Sequence, residues 1–269
     1  SSDLGYVGAM NYASLQELQM VNNTLIPSYL DISYASFASL LPHAGKELDI
    51  NLFLAHREVE ILQVKANVEL ASHTYSHYYC LEEGQTIEDF ENDVRMAKEN
   101  AIKQGVNLVS IIFPRNQVND DYLTICRKYG FTHFRGMLNS FLYKPSKTPF
   151  RYSPMGALRF LDTYLNISGN NTYTIEDTKS KELIDVPGSR FFRPYSRKLS
   201  FLEGLKIRRI KQSMTDAAKN GRIYHLWWHP HNFGTYMQEN LSLLEEICRH
   251  FDYLKKTYNL KSSFISEIR

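Results

Sequence analysis

The sequence predicts an α/β protein in which parallel strands carry helices packed outside them, as a sheet–helix barrel or a doubly wound sheet. Two observations predict it. Apolar, β-branched runs alternate with stretches of helical period through the middle of the chain. Each apolar run then ends in a short polar cluster carrying His, Arg or Asn. In both architectures ligands bind at the carboxyl ends of the strands, so those clusters are where chemistry is expected. A length of 269 residues suits one barrel domain spanning residues 1–269.

The elements follow in order. Leu15 to Leu30 has a helical period, and Ile32 to Leu41 reads as a strand, or as a strand turning into a helix. Val68-Glu69-Leu70-Ala71 is a short strand delivering Ser72-His73. Thr86-Ile87-Glu88-Asp89 is a capping-box-like start, with Asp in place of the usual Glu, for a helix through Lys103 closed by Gly105. Val106 to Phe113 (VNLVSIIF) is a buried strand ending at Pro114-Arg115-Asn116. A helix from Asp120 to Tyr129 stops at Gly130, and the strand FTHF runs to Arg135-Gly136.

Residues 137–200 are rich in Pro, Gly, Asn and Ser. They are too many for a structureless loop, so a folded rim insertion is expected there. A basic helix reaches Asn220-Gly221. Its Lys206, Arg208, Arg209 and Lys211, around Ile207 and Ile210, read as the solvated face of an amphipathic helix. The strand RIYHLWW from Arg222 is capped by His229-Pro230-His231. A helix from Glu239 to Tyr258 and a strand SSFISEI close the chain.

Composition excludes several classes. With 31 basic and 29 acidic residues the net charge is +2, too balanced to point to nucleic acid or a membrane surface. No apolar run approaches the ~20 residues of a membrane span. Cys80, Cys126 and Cys248 are scattered without C-x-x-C spacing, which favours free thiols and a cytoplasmic location. The chain opens Ser-Ser rather than Met, as a fragment or processed form would, with room for a lost leader. Eighteen Tyr and two Trp are a generous supply of rings with an apolar face and a polar edge, which suits stacking on sugars.

His73 and His77, in ASHTYSHYYC, are four residues apart. Imidazoles at that spacing can share one face of a helical turn and chelate one metal ion, although a chain with nine histidines also produces the spacing by chance. Serine and cysteine nucleophiles are not expected. There is no G-x-S-x-G elbow, and Cys80 lacks an orienting partner.

Taken together, the strings SHTYSHYYCLEEGQT, FPRNQ, RFFRPYS and HLWWHPHNFG resemble, in the right order over roughly residues 68–269, the polysaccharide deacetylases (carbohydrate esterase family 4). The likeness is to a branch associated with bacterial lipopolysaccharide and capsule gene clusters. The resemblance implies a distorted (β/α) barrel with an irregular insertion at about 137–200, and hydrolysis of the acetyl group of an N-acetylated sugar. It implies His73, His77 and Asp3 as ligands of a divalent metal, most often zinc. Asp3 is also the candidate base, held by Arg115. His229 is the candidate acid that protonates the leaving amine, with His231 second and His225 third. Asp162, in RFLDTYLNISG, takes the place of a variable motif that orients the histidine. Together with Arg135, Trp227 and Trp228 it is expected on the substrate side.

One motif departs from the family. The branch has Asp, then Glu two residues later, then an aromatic residue and Gly. In Ser1-Ser2-Asp3-Leu4-Gly5-Tyr6, Gly5 takes the Glu position. Almost nothing precedes Asp3, so the first barrel strand is expected to be lost or its motif eroded. A non-catalytic carbohydrate-binding relative is the alternative that this departure keeps open.

Overall fold

The computed structural model describes residues 1–22, 27–35, 53–137, 140, 142–143, 154–180 and 182–269. The expected element over Ile32 to Leu41 lies outside them beyond residue 35. Within the single domain read over 1–269 there are two compact units. The first comprises residues 1–136, 180–186 and 263–269, and the second residues 137–179 and 187–262.

The first unit contains β1 (Ser2–Tyr6), α1 (Leu15–Asn22), α2 (His56–Gln63), β2 (Val68–Ser72), α3 (Ile87–Lys103), β3 (Ser110–Ile112), α4 (Asp120–Lys128), β4 (His133–Arg135) and β5 (Ile184–Asp185). The five strands form one parallel sheet in the order β1-β2-β3-β4-β5, as the alternating pattern predicts. A first strand is therefore present, with Asp3 inside it. The capping box of α3 forms as read: Thr86 accepts from the Asp89 N–H, and Asp89 accepts from the Thr86 N–H. Gly105 follows that helix at φ 73°, a left-handed conformation that a residue with a Cβ resists.

Side chains alternate across a strand, and paired residues of parallel strands share a face. One face carries Leu4, Tyr6, Leu70, Ile111 and Phe134, which pack with Phe90 and Val94 of α3 and with Tyr122, Leu123 and Cys126 of α4. Each such buried side chain contributes about 1.5–3 kcal/mol. The other face carries Asp3, Gly5, Glu69, Ala71, Ser110, Ile112, His133 and Arg135, and is largely polar. Residues 263–269 cover its amino-terminal half. Ile265 N donates to Asp3 Oδ1 at 2.9 Å, Ser266 Oγ donates to Glu69, and the His133 Nε2–H reaches the Ile268 carbonyl at 2.8 Å.

Those bonds explain why the expected closing strand SSFISEI is instead a 3-10 turn, Ile265–Glu267. Its backbone groups are taken by side chains standing on the sheet, not by a neighbouring strand. Of the helix expected over Leu15 to Leu30, Leu15–Asn22 is helical and Pro27 to Leu30 is not, while Ile32–Tyr34 of the next expected element is a 3-10 turn.

The second unit contains α5 (Pro154–Leu161), β6 (Arg190–Phe191), α6 (Glu203–Asn220), β7 (Leu226–Trp227) and α7 (Met237–Tyr258), with β6 and β7 parallel. Its core joins Phe192, Ile207, Ile210 and Met214 to Phe233, Ile247 and Leu254. RIYHLWW is a strand over only two residues. Its partner β6 is equally short, and upstream the Ile223 backbone pairs with Tyr173 instead.

The expectation of a solvated basic face on α6 needs correcting. Lys206 and Arg209 are each 2% exposed. Lys206 pairs with Glu203, donates to the Arg193 carbonyl at 2.9 Å and lies over the Phe192 ring. Of the four, Arg208 is exposed and Lys211 is partly so. Among the described residues no helix is long and apolar enough to cross a membrane.

Burial raises the Asp3 carboxyl from 3.8 to about 7, opposed by the Ile265 N–H and reinforced by the negative charges of Glu69 and Glu267. The folded chain therefore holds a proton between these values that the unfolded chain has released, and stability from this group falls as pH rises from about 4 to 7. Asp3→Asn keeps a carbonyl oxygen for Ile265 N and removes the buried charge. Chemical denaturation should find it about 1–3 kcal/mol more stable than the parent at pH 8 and nearly equal at pH 4. An equal difference at both pH values would remove the assigned ionisation.

Candidate functional site

The loop that follows β2 is built from the inside. Ser72 Oγ accepts from Thr74 N, and Thr74 Oγ1 accepts from Tyr78 N at 2.7 Å. Asp93, buried on α3, accepts from Tyr75 N at 2.7 Å and from Ser76 N at 2.9 Å. Burial pushes its carboxyl up to about 6, against the pull of the Ser76 and Tyr75 hydrogen bonds. It is thus ionised at neutral pH and accepts two backbone N–H groups, a charge-assisted arrangement.

Around these bonds Thr74 and His77 take left-handed backbone angles, φ 65° and 60°. Arg115 and Asn116, after β3, do the same at 52° and 54°. These conformations cost on the order of 1–3 kcal/mol each and persist only where the surroundings fix them. Among the described residues, four of the seven non-glycine residues with positive φ thus fall on two adjoining strand ends of the first unit.

His73 extends the β1–β2 ladder through its N–H to the Tyr6 carbonyl at 2.8 Å. Its Nδ1 bonds the Ile112 carbonyl at 2.6 Å, which assigns the proton to Nδ1 and the lone pair to Nε2. The His73 and His77 rings are 4.9 Å apart. The His77 ring meets Tyr79 at 5.2 Å, and the Arg115 guanidinium lies 4.2 Å over Tyr79 and 5.3 Å from Tyr34.

Asp3 does not join this group. It pairs in register with Glu69, four residues and ~13 Å of strand before His73, and its carboxylate accepts from Ile265 N. The residue beside His73 is Gly5, where an added Cβ would sit 3.6 Å from the His73 Cβ. Arg115 therefore does not hold Asp3. Its Nη1 faces Glu82 at 3.5 Å, and Glu82 also accepts from Gln117 Nε2 at 2.8 Å. Arg135 is buried and donates to Asn116 Oδ1 at 2.7 Å, so it braces the β3 end. Burial lowers its guanidinium to about 10, which leaves it charged at neutral pH.

A tetrahedral zinc site wants three protein donors and an open position. Among the described residues, no group of three His, Cys, Asp or Glu side chains is placed to hold a metal. Among the described residues, two imidazoles beside a glycine leave the implied zinc site short of a third donor. Cys80, next to this loop, is buried, and burial holds its thiol well above its usual value.

In the second unit, the rings of Phe191, Trp227, His229 and His231 form a run. Phe191 and Trp227 are 4.7 Å apart, Trp227 and His229 5.6 Å, and His229 and His231 5.3 Å and nearly parallel. Trp228 points the other way, stacking on Phe233 in the core, so it is not on a substrate side. His225 contributes its backbone, its carbonyl accepting from the N–H groups of Ser189 and Arg190.

Asp162 is fully buried and saturated. Tyr143 Oη, Ser168 N and Oγ, and Ile167 N all donate to it, and it pairs with Arg209 at 2.8 Å and Arg190 at 3.2 Å. It pins the second unit together and is closed to any substrate. A groove of about 520 Å³ between α6 and α7 contains none of the expected site residues.

Sequence reasoning missed Asp93, Tyr79 and Glu82. Asp93 was visible as a lone carboxylate on the buried stripe Phe90, Val94, Ala97, Ala101 of α3. Tyr79 and Glu82 lie within the string that carries the histidines. In comparisons with known proteins, no family model and no curated protein matches the chain.

Two stability tests follow. Asp162→Ala leaves two buried guanidiniums without their carboxylate, and urea denaturation should show a loss of about 3–5 kcal/mol. Asp93→Asn keeps one acceptor oxygen where two N–H groups need one each. It should cost about 1–3 kcal/mol, and shift the amide resonances of Tyr75 and Ser76 beyond those of the sheet.

Proposed function

We propose that the protein is a carbohydrate-binding relative of the polysaccharide deacetylases that does not hydrolyse its ligand. The parallel sheet would be the arc of that family's distorted barrel. Its ligand would be a sugar of a bacterial surface polysaccharide. The observation that carries the reading is Gly5: the strand position beside His73 has no carboxylate, while Asp3 is committed to Ile265. Deacetylation needs a carboxylate to take the proton of the attacking water as the bond forms. It also needs a third donor to fix the metal that lowers the water's pKa. Neither role is filled by a described residue.

What the loops of each unit, taken separately, do offer is ring faces and hydrogen-bonding edges. A sugar's apolar face stacks on a ring while its hydroxyls bond to imidazole and guanidinium nitrogens. The three free thiols support a reducing, cytoplasmic setting in which polysaccharide precursors are assembled.

The test is a zinc titration by calorimetry on chelator-treated protein, beside an assay for acetate released from N-acetylated oligosaccharides. No zinc site tighter than that of His73→Ala is expected, and no acetate. Gly5→Glu should then create a site, because the nearest obstacle to a Cβ there is the tip of Ile112, at 3.1 Å. One tight zinc site in the parent, lost in His73→Ala and accompanied by acetate release, would restore the hydrolytic reading.

A further inference from the structure

We infer that the face formed by His73, His77, Tyr79 and Arg115 selects sugars that carry a carboxylate, a uronic acid in particular. The inference rests on the carbohydrate-binding reading above and names the ligand class of that same site. Arg115 is the reason. Its side chain is 51% exposed, yet its position is fixed three times over. The backbone is held at φ 52°, the guanidinium is stacked 4.2 Å over the buried Tyr79 ring, and Tyr34 flanks it at 5.3 Å. An arginine held this way loses little freedom on binding, and its planar edge matches a carboxylate with two parallel N–H···O bonds.

Among the described residues its one counter-charge is Glu82, at 3.5 Å, and the Glu82 oxygen is already taken by Gln117 at 2.8 Å. Toward the described residues, most of its five N–H donors therefore remain to be used. One guanidinium, partly offset by one carboxylate, balances a singly charged sugar acid better than a doubly charged phosphate. The Tyr79 ring touches both Arg115 and His77, so a ligand gripped at its carboxylate would have its neighbouring sugar beside the imidazole pair.

The test compares two tetrasaccharides by calorimetry on the full chain, one alternating N-acetylglucosamine with glucuronate, the other made of N-acetylglucosamine alone. The acidic one should bind at least tenfold tighter, and the preference should shrink in 0.3 M salt. Arg115→Gln should abolish the preference, and Arg115→Lys should restore part of it. Glu82→Gln should increase it, a change that damage to the fold would not produce. Equal affinity for both sugars, untouched by Arg115→Gln, would overturn the inference and leave the carbohydrate reading standing. A preference that survives Arg115→Gln would overturn the role given to Arg115. Binding of neither sugar would overturn both readings.

Discussion

The first unit's strand ends depend on one buried carboxylate. Asp93 sits on the core-facing stripe of α3, where an apolar residue would ordinarily stand, and accepts the N–H groups of Tyr75 and Ser76. Taking that charge out of water is costly, and it is tolerated because two strong donors meet it. The chain after β2 is thereby folded back in a tight loop, with the His77 ring between His73 and Tyr79 and with Tyr78 buried. The position of Arg115 follows from this, since the ring on which it rests belongs to the same loop.

The sheet shows how a parallel arrangement can have two unlike faces. Such strands are usually apolar on both sides because helices cover both. Here the helix-covered face is apolar, while the opposite face carries Asp3, Glu69, Ser110, His133 and Arg135. Each polar group on it needs a partner, and residues 263–269 supply several. The carboxyl-terminal half of that face, around Gly5, His73 and Ile112, is thus set apart chemically from the amino-terminal half. Asp3, two residues before Gly5 in β1, belongs to the amino-terminal half.

How much of this was legible follows from how far each signal reaches. The start of α3 needs only Thr86 and Asp89, three residues apart, and it formed as the pattern says. The pairing of His73 with His77 is also local. The burial of Lys206 and Arg209 was hidden because their partners, Phe192 and Arg193 for one and Asp162 for the other, lie outside the helical period that made the face look solvated. Two-residue strands such as β5 and β7 carry too few residues for any period to be counted. The destiny of Asp3 was the least legible, since its hydrogen-bond partner is 262 positions away.

That separation bears on how the chain comes together. The first unit is interrupted twice along the sequence, and the two intervening stretches, residues 137–179 and 187–262, make up the second unit. During synthesis the second unit is complete before residue 265 exists, so β1 must wait with one side of Asp3 unsealed. Long-range closures of this kind are slow, because loop entropy is spent before the contact returns it. The polar face of the sheet would then be the last part to become water-tight. The interval before it closes is when the young chain is most exposed to aggregation and most in need of a chaperone.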